Sequence, residues 1–281
     1  MTQGVVTTVV FVTMLLAHTA SAVIDFARFH CVAREETTGN YLFRSNMPLA
    51  QNSTGFAYAQ DFGYADIVDF VKQRAAEECG PVPAPDEFFL IEVTLNNALD
   101  DTDGLIAVHA WHGWPGNMGQ GRLVDWPLIG ALVPASSVPE DERGTVSERL
   151  FVVDQLPARV AALNQLLTTP TPAWAQGKPL VVVVHCSAGC DRTGEMIGAW
   201  RITRSSVQTS QMAVADAYNL NVAECGRPPN YYSTHALEWY CLLLEDQGVA
   251  GLGDCLGFAS CASIPEGGAC TPTTNATGVS S

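Results

Sequence analysis

Basic side chains are scarce in this chain of 281 residues. Fourteen Lys and Arg stand against 29 Asp and Glu, which gives a net charge of −15 at pH 7. No basic block occurs anywhere along the sequence. Nucleic acids and anionic lipids are attracted to positive surfaces, so the composition argues against both as partners. Any phosphate that this chain binds has to be held by local groups.

Long apolar runs are scarce as well. The main one, residues 5–17, is shorter than the roughly 20 residues that span a bilayer. It is followed by Ala20-Ser21-Ala22, an A-x-A cleavage signal, so residues 1–22 are predicted to be a signal peptide. Because the first four residues contain no Lys or Arg, a buried N-terminal strand is the alternative. We expect a secreted or endomembrane-lumen protein with no stable membrane insertion after cleavage.

None of the cysteine spacings is typical of a zinc site, and we expect neither a metal nor a cofactor. The nine cysteines are Cys31, Cys79, Cys186, Cys190, Cys225, Cys241, Cys255, Cys261 and Cys270. An odd number in an exported chain leaves one thiol over. With Cys186 set aside, the other eight are enough for four disulfides, whose connectivity stays open. Two sequons for glycosylation, at Asn52 and Asn275, also fit the secretory route.

Enough apolar material is present for one large core, since 47% of the residues are hydrophobic. Residues 23–247 are predicted to form one domain, and residues 248–281 a Gly-, Ser- and Cys-containing tail that buries little. The apolar runs predict strands at residues 41–45, 88–93, 106–109, 150–153 and 179–185. The last of these contains four consecutive valines, which is typical of a strand buried on both faces.

Apolar residues at helical spacing predict helices at residues 64–78, 157–167, 192–204, 208–221 and 231–246. Two stretches are predicted to be irregular. Residues 100–121 are rich in Gly, Asp and Trp and are expected to be mostly loop around the short strand at 106–109. Residues 134–147 are rich in Pro, Ser and charge and are expected to form an exposed insertion.

The most informative segment is His185-Cys186-Ser187-Ala188-Gly189-Cys190-Asp191-Arg192-Thr193-Gly194. It connects the valine strand to a helix, and the first amides of a helix have no partner within it. Together with the helix dipole these amides form an anion site. A phosphate there would lie over Cys186, whose thiolate the same positive potential favours. The planar guanidinium of Arg192 can bind two phosphate oxygens at once.

Other residues of the segment are expected to support this chemistry. Gly189 lets the backbone bend around an anion, and Gly194 allows the helix to pack closely on the sheet. Thr193 can donate a hydrogen bond to the sulfur and make it a better leaving group. His185 is expected to orient the loop rather than to react. The spacing C-x5-R-[ST]-G between a strand and a helix is therefore a specific signal for a phosphate site with a cysteine nucleophile.

The segment resembles the signature loop of the protein tyrosine phosphatase superfamily, HCxxGxxR[ST]G. Residues 42–45 (LFRS) resemble the early YRS strand of its dual-specificity and atypical branch, and residues 226–230 (GRPPN) resemble the C-terminal Arg-x-x-Asn region of that branch. The resemblance extends over residues 26–246. It implies an α/β fold with a central, mostly parallel sheet flanked by helices, and two-step phosphomonoester hydrolysis without a metal. It also implies that the loop binds the substrate through His185, Ser187, Ala188, Gly189, Cys190 and Asp191.

Two details bear on the substrate, which is expected to be a phosphorylated protein or a small phosphoester. The sequence Asp191-Arg192-Thr193 is similar to atypical members of the superfamily that accept inositides. Those members often carry Lys in the loop, and this loop has none, which disfavours an inositide without excluding it.

The general acid is less clear from the sequence. The resemblance implies an Asp on a mobile loop about 30–40 residues before the cysteine. Asp154 stands 32 residues before Cys186 and is favoured. Asp125, in Asp125-Trp126-Pro127, resembles part of the WPD loop of classical members but stands 61 residues before Cys186. The remaining alternatives are Asp141, Glu142, Glu148 or another carboxylate.

Several interpretations remain open at this stage. Cys190 is either a structural half-cystine or a redox partner that protects Cys186. The aromatic residues Trp111, Trp114 and Trp126 either pack in the core or line a substrate mouth. Two alternatives to an active phosphatase are an inactive phosphatase-like module that binds phosphorylated or sulfated ligands and a disulfide-rich scaffold in which the C-x5-R spacing is accidental.

Overall fold

The computed structural model describes residues 23–50, 59–80, 87–96, 102–205 and 213–256. Its strands are β1 (His30–Arg34), β2 (Tyr41–Asn46), β3 (Phe89–Thr94), β4 (Gly121–Asp125) and β5 (Leu180–Cys186). Its α-helices are α1 (Tyr64–Glu78), α2 (Thr102–Gly113), α3 (Glu140–Leu150), α4 (Leu156–Thr168), α5 (Asp191–Ser205), α6 (Val214–Cys225) and α7 (Tyr231–Asp246). Among these helices, none is both long and apolar enough to cross a bilayer.

The described strands form one five-stranded sheet in the order β1-β2-β5-β3-β4. Strand β1 is antiparallel to β2, whereas β2, β5, β3 and β4 are parallel. The predicted α/β fold with a central, mostly parallel sheet is therefore confirmed. Since the parallel strands end at one edge of the sheet, residues that follow β5 lie beside residues that follow β2 and β3.

Both faces of the sheet are covered, because successive side chains of a strand point to opposite faces. All seven residues of β5 are buried. Val181 and Val183 pack into an apolar layer with α1 and α2. Val182 and Val184 pack into a larger layer with α4, α5 and α7. The valine run is thus the middle of the molecule, as its composition indicated.

Two predictions about local structure are wrong. Residues 102–113 form helix α2 rather than a loop with a strand at 106–109. One side of the helix is buried, where Ala107, Val108 and Trp111 pack into the core. The glycines of this segment favoured a loop in the sequence analysis. Within the helix they lie near its ends, so they do not interrupt its middle. Strand β4, at Gly121–Asp125, was not predicted.

The second error concerns residues 150–153, which were expected to form a strand. They end helix α3 and continue into a turn, in which Val152 and Val153 are about 70% exposed (70% and 71%). A four-residue apolar run does not distinguish a strand from a helix end. The expected insertion at 134–147 is partly helical, since α3 begins at Glu140 and contacts α7.

Three disulfides are formed among the described residues. They join Cys31 to Cys79, Cys190 to Cys225, and Cys241 to Cys255. The last one attaches the beginning of the predicted tail to α7. Residues 1–22, Asn52, Asn275, Cys261 and Cys270 lie outside the described residues, and the domain boundaries stay predictions.

Candidate active site

Strand β5 ends at Cys186, and helix α5 begins five residues later at Asp191. The side chain of Cys186 is buried, and the residue is 4% exposed. Among the cysteines of the described residues, it is the one free thiol. The signature segment thus forms a short loop, here called the phosphate loop (residues 186–192), with an unbridged sulfur at its beginning.

The carbonyl groups of the phosphate loop have partners outside it. The carbonyl of Ser187 accepts from the Met47 amide at 3.2 Å, and that of Ala188 accepts from Arg28 at 2.9 Å. The carbonyl of Gly189 accepts from Arg44 at 2.6 Å. In a trans peptide the C=O and the following N–H point in opposite directions. The next three amides therefore point away from these partners, as an anion site requires.

Gly189 is required by the geometry of this turn. Its φ is +73°, in the left-handed region that favours glycine. A Cβ atom at this position would lie 2.6 Å from the carbonyl oxygen of Ser45 in β2. The predicted role of Gly189, bending the loop, therefore has both a conformational and a steric reason.

A buried ion-pair cluster supports the outer side of the loop. Arg44 donates to Glu224 of α6 at 2.8 Å, and Arg201 of α5 binds the same carboxylate. Burial of Glu224 opposes its ionisation, but the hydrogen bonds and charge of Arg201 and Arg44 hold its pKa below the ordinary value. The ionised carboxylate anchors Arg44, which in turn holds the carbonyl of Gly189.

Asn96, which follows β3, binds both Ser187 at the start of the phosphate loop and Arg192 at its end. Its Oδ1 accepts from the Ser187 amide at 3.0 Å and from Nη1 of Arg192 at 3.1 Å. Its Nδ2 donates to Oγ of Ser187 at 3.0 Å. One side chain therefore links the start of the loop to the guanidinium that closes it. The sequence reasoning missed Asn96, because no local motif marks a residue 90 positions before Cys186.

The second half of the loop is bound to α6 and to the connection before α7. Cys190 forms a disulfide with Cys225 at the end of α6. The carboxylate of Asp191 accepts two hydrogen bonds from Arg227, at 2.9 and 2.8 Å, and a third from the Asn230 amide at 2.7 Å. The structure thus places Cys190 in a bridge and directs the Asp191 side chain to protein groups.

Thr193 and Gly194 begin the buried side of α5. Thr193 is fully buried, and its Oγ1 has no hydrogen-bond partner among the described residues. The side chain of Asn221 in α6 fills the space that a Cβ of Gly194 would need. Gly194 was expected to allow close packing on the sheet. The close approach is instead to helix α6.

His185 is buried on the sheet face opposite Cys186. Its Nε2 lies 2.8 Å from Oε1 of Glu92 in β3, and the second oxygen of Glu92 lies 2.6 Å from Nε2 of His112 in α2. The side chains of Glu92 and His185 are completely buried, and that of His112 is 6% exposed. The sequence reasoning singled out His185 but missed Glu92.

Asp154 lies in the turn that precedes α4, and it is 5% exposed. Burial raises the pKa of its carboxyl, although hydrogen bonds from the backbone of Leu156, Ile129 and Gly130 act in the opposite direction. Glu195, three residues after Arg192, is close enough that its charge interacts with Asp154 and Arg192. Burial, with the charge of Asp154 adding to it, raises the pKa of Glu195 well above its ordinary value.

The other candidate acids are in different surroundings. Asp125 ends β4, where its half-exposed carboxylate lies 3.5 Å from His109 of α2. Asp141, Glu142 and Glu148 are exposed on α3. Asp154 differs from all four because its carboxyl is buried.

The three candidate tryptophans have different surroundings. Trp111 and Trp114 line an open cavity of about 680 Å³ with Phe62 and Asn117, and none of residues 185–194 lines it. Trp126 packs against the larger apolar layer of the core. None of the described residues forms a cluster of His, Cys, Asp and Glu that could hold a metal ion.

Comparison with known proteins points to one family. A family model described as "Tyrosine phosphatase family" matches residues 25–221. No curated protein matches the chain. Three similar solved structures are TcPTP1, a protein tyrosine phosphatase of Trypanosoma cruzi, TpbA of P. aeruginosa, and a phosphoinositide phosphatase of Legionella.

These structures are distant from the present chain. TcPTP1 is 16% identical over 79% of this chain and 73% of its own, with a TM-score of 0.37. TpbA is 18% identical over 63% and 70%, with a TM-score of 0.22. The Legionella enzyme is 11% identical over 79% and 35%, with a TM-score of 0.28.

Proposed function

The chain belongs to a tyrosine phosphatase family, and from this premise we propose that it hydrolyses phosphomonoesters through a cysteinyl-phosphate intermediate. The observation that carries the proposal is the free, buried thiol of Cys186 at the start of a loop in which the carbonyls of Ser187, Ala188 and Gly189 accept hydrogen bonds from residues outside the loop. Cys190, in the same loop, is bridged, so Cys186 alone is available as nucleophile.

In the first step, the thiolate of Cys186 attacks the phosphorus atom and the bond to the leaving oxygen breaks. The phosphate oxygens are held by the loop amides and by Arg192, which Asn96 keeps in place. The leaving oxygen takes a proton from Asp154. We favour Asp154 as the general acid because burial raises the pKa of its carboxyl, which keeps it protonated to a higher pH.

In the second step, a water molecule attacks the phosphorus atom and the S–P bond breaks. The carboxylate of Asp154 now accepts the proton of that water. We expect Thr193 to assist by donating a hydrogen bond to the departing sulfur, which is consistent with its buried hydroxyl having no hydrogen-bond partner among the described residues. The products are inorganic phosphate and the regenerated thiolate, with no metal involved.

For the substrate class, we propose protein tyrosine phosphatase or dual-specificity phosphatase activity. The phosphate loop contains no Lys, so it offers one cation, Arg192, to a single phosphate group. We therefore expect a phosphorylated protein or a small phosphoester to be preferred over polyphosphorylated inositides. Initial rates with phosphotyrosine peptides, phosphoserine peptides and inositides, compared at equal concentration, rank these classes.

The first experiment compares the mature protein with Cys186→Ser, using p-nitrophenyl phosphate. The wild type is expected to turn over the substrate and to yield a phosphorylated Cys186 after acid quench. The serine variant is expected to lose at least 10³-fold in turnover, since the alcohol is not ionised at neutral pH. Equal turnover in both proteins would discard the mechanism. Phosphate binding without any hydrolysis would instead favour an inactive binding module.

We also propose that the protein works in an oxidising compartment, either outside the cell or in the endomembrane lumen. Three disulfides among the described residues support this location, because such bonds are rare in reducing compartments. Mass mapping of the mature protein checks both the cleavage after Ala22 and the three bridges.

A further inference from the structure

Exposed apolar side chains gather beside the phosphate loop, and the proposed reaction does not use them. Ten large hydrophobic residues in the described part of the chain are exposed. Six of the ten come from only three segments, and we call these six the apolar rim: Ile129, Leu132, Val133, Val152, Val153 and Tyr231. Single exposed apolar side chains are ordinary on a protein surface, whereas a group of them in one region marks an interaction site.

The three segments of the apolar rim are joined by hydrogen bonds. The backbone of residues 129–130 donates to the carboxylate of Asp154. Asp154 directly follows Val153, so two of the segments meet at this carboxylate. The Ala131 amide donates to the Tyr232 carbonyl at 2.9 Å, which brings the third segment, the start of α7, to the same region.

The apolar rim borders the phosphate loop. Tyr231 follows Asn230, whose amide donates to the carboxylate of Asp191 at 2.7 Å. Val153 precedes Asp154, which in the proposed reaction gives its proton to the leaving oxygen. The leaving group of a bound substrate therefore lies beside Asp154, and a substrate larger than the phosphoester itself extends onto the neighbouring rim.

The backbone of the apolar rim is fixed, although its side chains face solvent. The indole of Trp239 donates to the Val133 carbonyl at 2.7 Å. Leu128 and Ala131, each directly before a residue of the rim, are completely buried. Because the backbone is held in this way, covering the rim requires little further ordering, and preorganisation of this kind favours binding.

The charges around the apolar rim indicate the kind of partner. Residues 126–139 contain no Asp, Glu, Lys or Arg. The first turn of α3 follows immediately and exposes Glu140, Asp141 and Glu142. This pattern complements apolar side chains on the rim and basic side chains beside it. Anionic lipid, or a second copy of this chain with its net charge of −15, would bring like charges together, so a phosphorylated polypeptide fits better.

We infer that the apolar rim binds a large apolar side chain next to the phosphorylated residue of a protein substrate. The inference rests on the proposed function, because the rim has this role only if the phosphate loop holds the phosphate. It adds a sequence preference to that function, since a small phosphoester does not reach the rim.

The test compares two phosphotyrosine peptides that differ only in the residues on either side of the phosphotyrosine, Leu in one peptide and Ser in the other. For the wild type, kcat/KM is expected to be about tenfold higher with the Leu peptide, because its side chains are partly buried against the rim. In the double variant Leu132→Ser/Val152→Ser this preference is expected to disappear. Both side chains are largely exposed (72% and 70%), so their replacement should cost little stability.

Met118→Ser, at an exposed apolar site outside the rim, is the matched control and should keep the wild-type preference. Equal kcat/KM for the two peptides in the wild type overturns the inference, and this comparison needs no variant to fold. A preference that survives in the double variant overturns it too. Binding to phosphatidylcholine vesicles, or self-association, that the double variant abolishes while the peptide preference stays would assign the rim to another partner and so reject the inference.

Hydrolysis of p-nitrophenyl phosphate separates this inference from the proposed function. That substrate has no flanking residues. A wild type that is inactive on it rejects the proposed function and the inference together, whereas an active wild type without a preference between the peptides rejects the inference alone.

Discussion

At the scale of single residues, two aspartates with the same carboxyl group differ in how far they are buried. Asp154 and Asp125 both precede the phosphate loop along the chain, yet the first is buried and the second is half exposed. A general acid must hold its proton near neutral pH, and burial favours the protonated form of a carboxyl. The environment, rather than the distance along the sequence, separates the two candidates.

Replacing Asp154 with Asn is expected to lower kcat by about 10² to 10⁴-fold. The loss should be larger for phenyl phosphate than for p-nitrophenyl phosphate, because the poorer leaving group needs the proton more. Wild-type activity should fall as pH rises through the elevated pKa of Asp154, and this basic limb should vanish in the variant. Steady-state kinetics across pH provide the measurement.

Asp125→Asn serves as the matched control, and its kinetics are expected to stay close to those of the wild type. If Asp125→Asn removes the basic limb and Asp154→Asn does not, the general acid has been assigned to the wrong loop.

At the scale of elements, the phosphate loop is held from three directions. Strand β3 contributes Asn96 just beyond its end, β2 contributes Arg44, and α6 contributes the disulfide partner of Cys190. Each contact fixes a different part of the loop backbone. Preorganised amides of this kind cost no reorganisation when charge develops on the phosphate.

The disulfide between Cys190 and Cys225 closes a loop with a sequence separation of 35 residues. Replacing both cysteines with Ser is expected to lower the free energy of unfolding by about 3 to 4 kcal/mol, by the chain-entropy relation. Because the bridge also anchors the phosphate loop, KM for p-nitrophenyl phosphate and the inhibition constant of inorganic phosphate should both rise. Urea unfolding and steady-state kinetics on the same samples give the two readouts.

The bridge between Cys241 and Cys255 offers the comparison, because it has a separation of 14 residues and neither cysteine belongs to the phosphate loop. Its double Ser variant should lose about 3 kcal/mol of stability and keep its KM. Equal KM values in both double variants would show that the first bridge stabilises the fold without shaping the site.

At the scale of the whole molecule, an acidic chain buries several carboxyl groups. Glu238 of α7 is fully buried, and burial, with the charge of Asp254 adding to it, raises its pKa from 4.5 to about 7. Below pH 4.5 the group is protonated in both the folded and the unfolded chain. Between 4.5 and 7 only the unfolded chain releases the proton, so the stability of the fold decreases as pH rises.

Glu238→Gln is accordingly expected to be more stable than the wild type above pH 7, by up to about 3 kcal/mol. Near pH 4 the difference should shrink towards zero. Urea unfolding at pH 4, 5.5 and 8 measures the trend. Exposed Glu245 on the same helix supplies the control variant, Glu245→Gln, with little change expected. Parallel stability curves for Glu238→Gln and the wild type would contradict the assigned direction.

The sequence alone determined the parts of this protein that depend on neighbouring residues. The valine strand, the phosphate loop and the start of α5 are contiguous, so their spacing carried both the fold class and the identity of Cys186 and Arg192 as candidates. Helix α1 and helix α7 were likewise predicted from their own periodicity. Helix α2 was not, because its segment is rich in Gly, Asp and Trp and shows little amphipathic periodicity.

The tertiary structure alone decided what lies around that loop. Asn96, Glu92 and His112 stand between 74 and 94 positions before Cys186, and no local pattern connects them to it. The pairing of Cys190 with Cys225 depends on how α6 packs on α5, and the burial of Asp154 depends on how the turn before α4 packs in the fold. Sequence spacing specifies contacts within one element, whereas hydrogen bonds and charge compensation between elements arise only after the chain has folded.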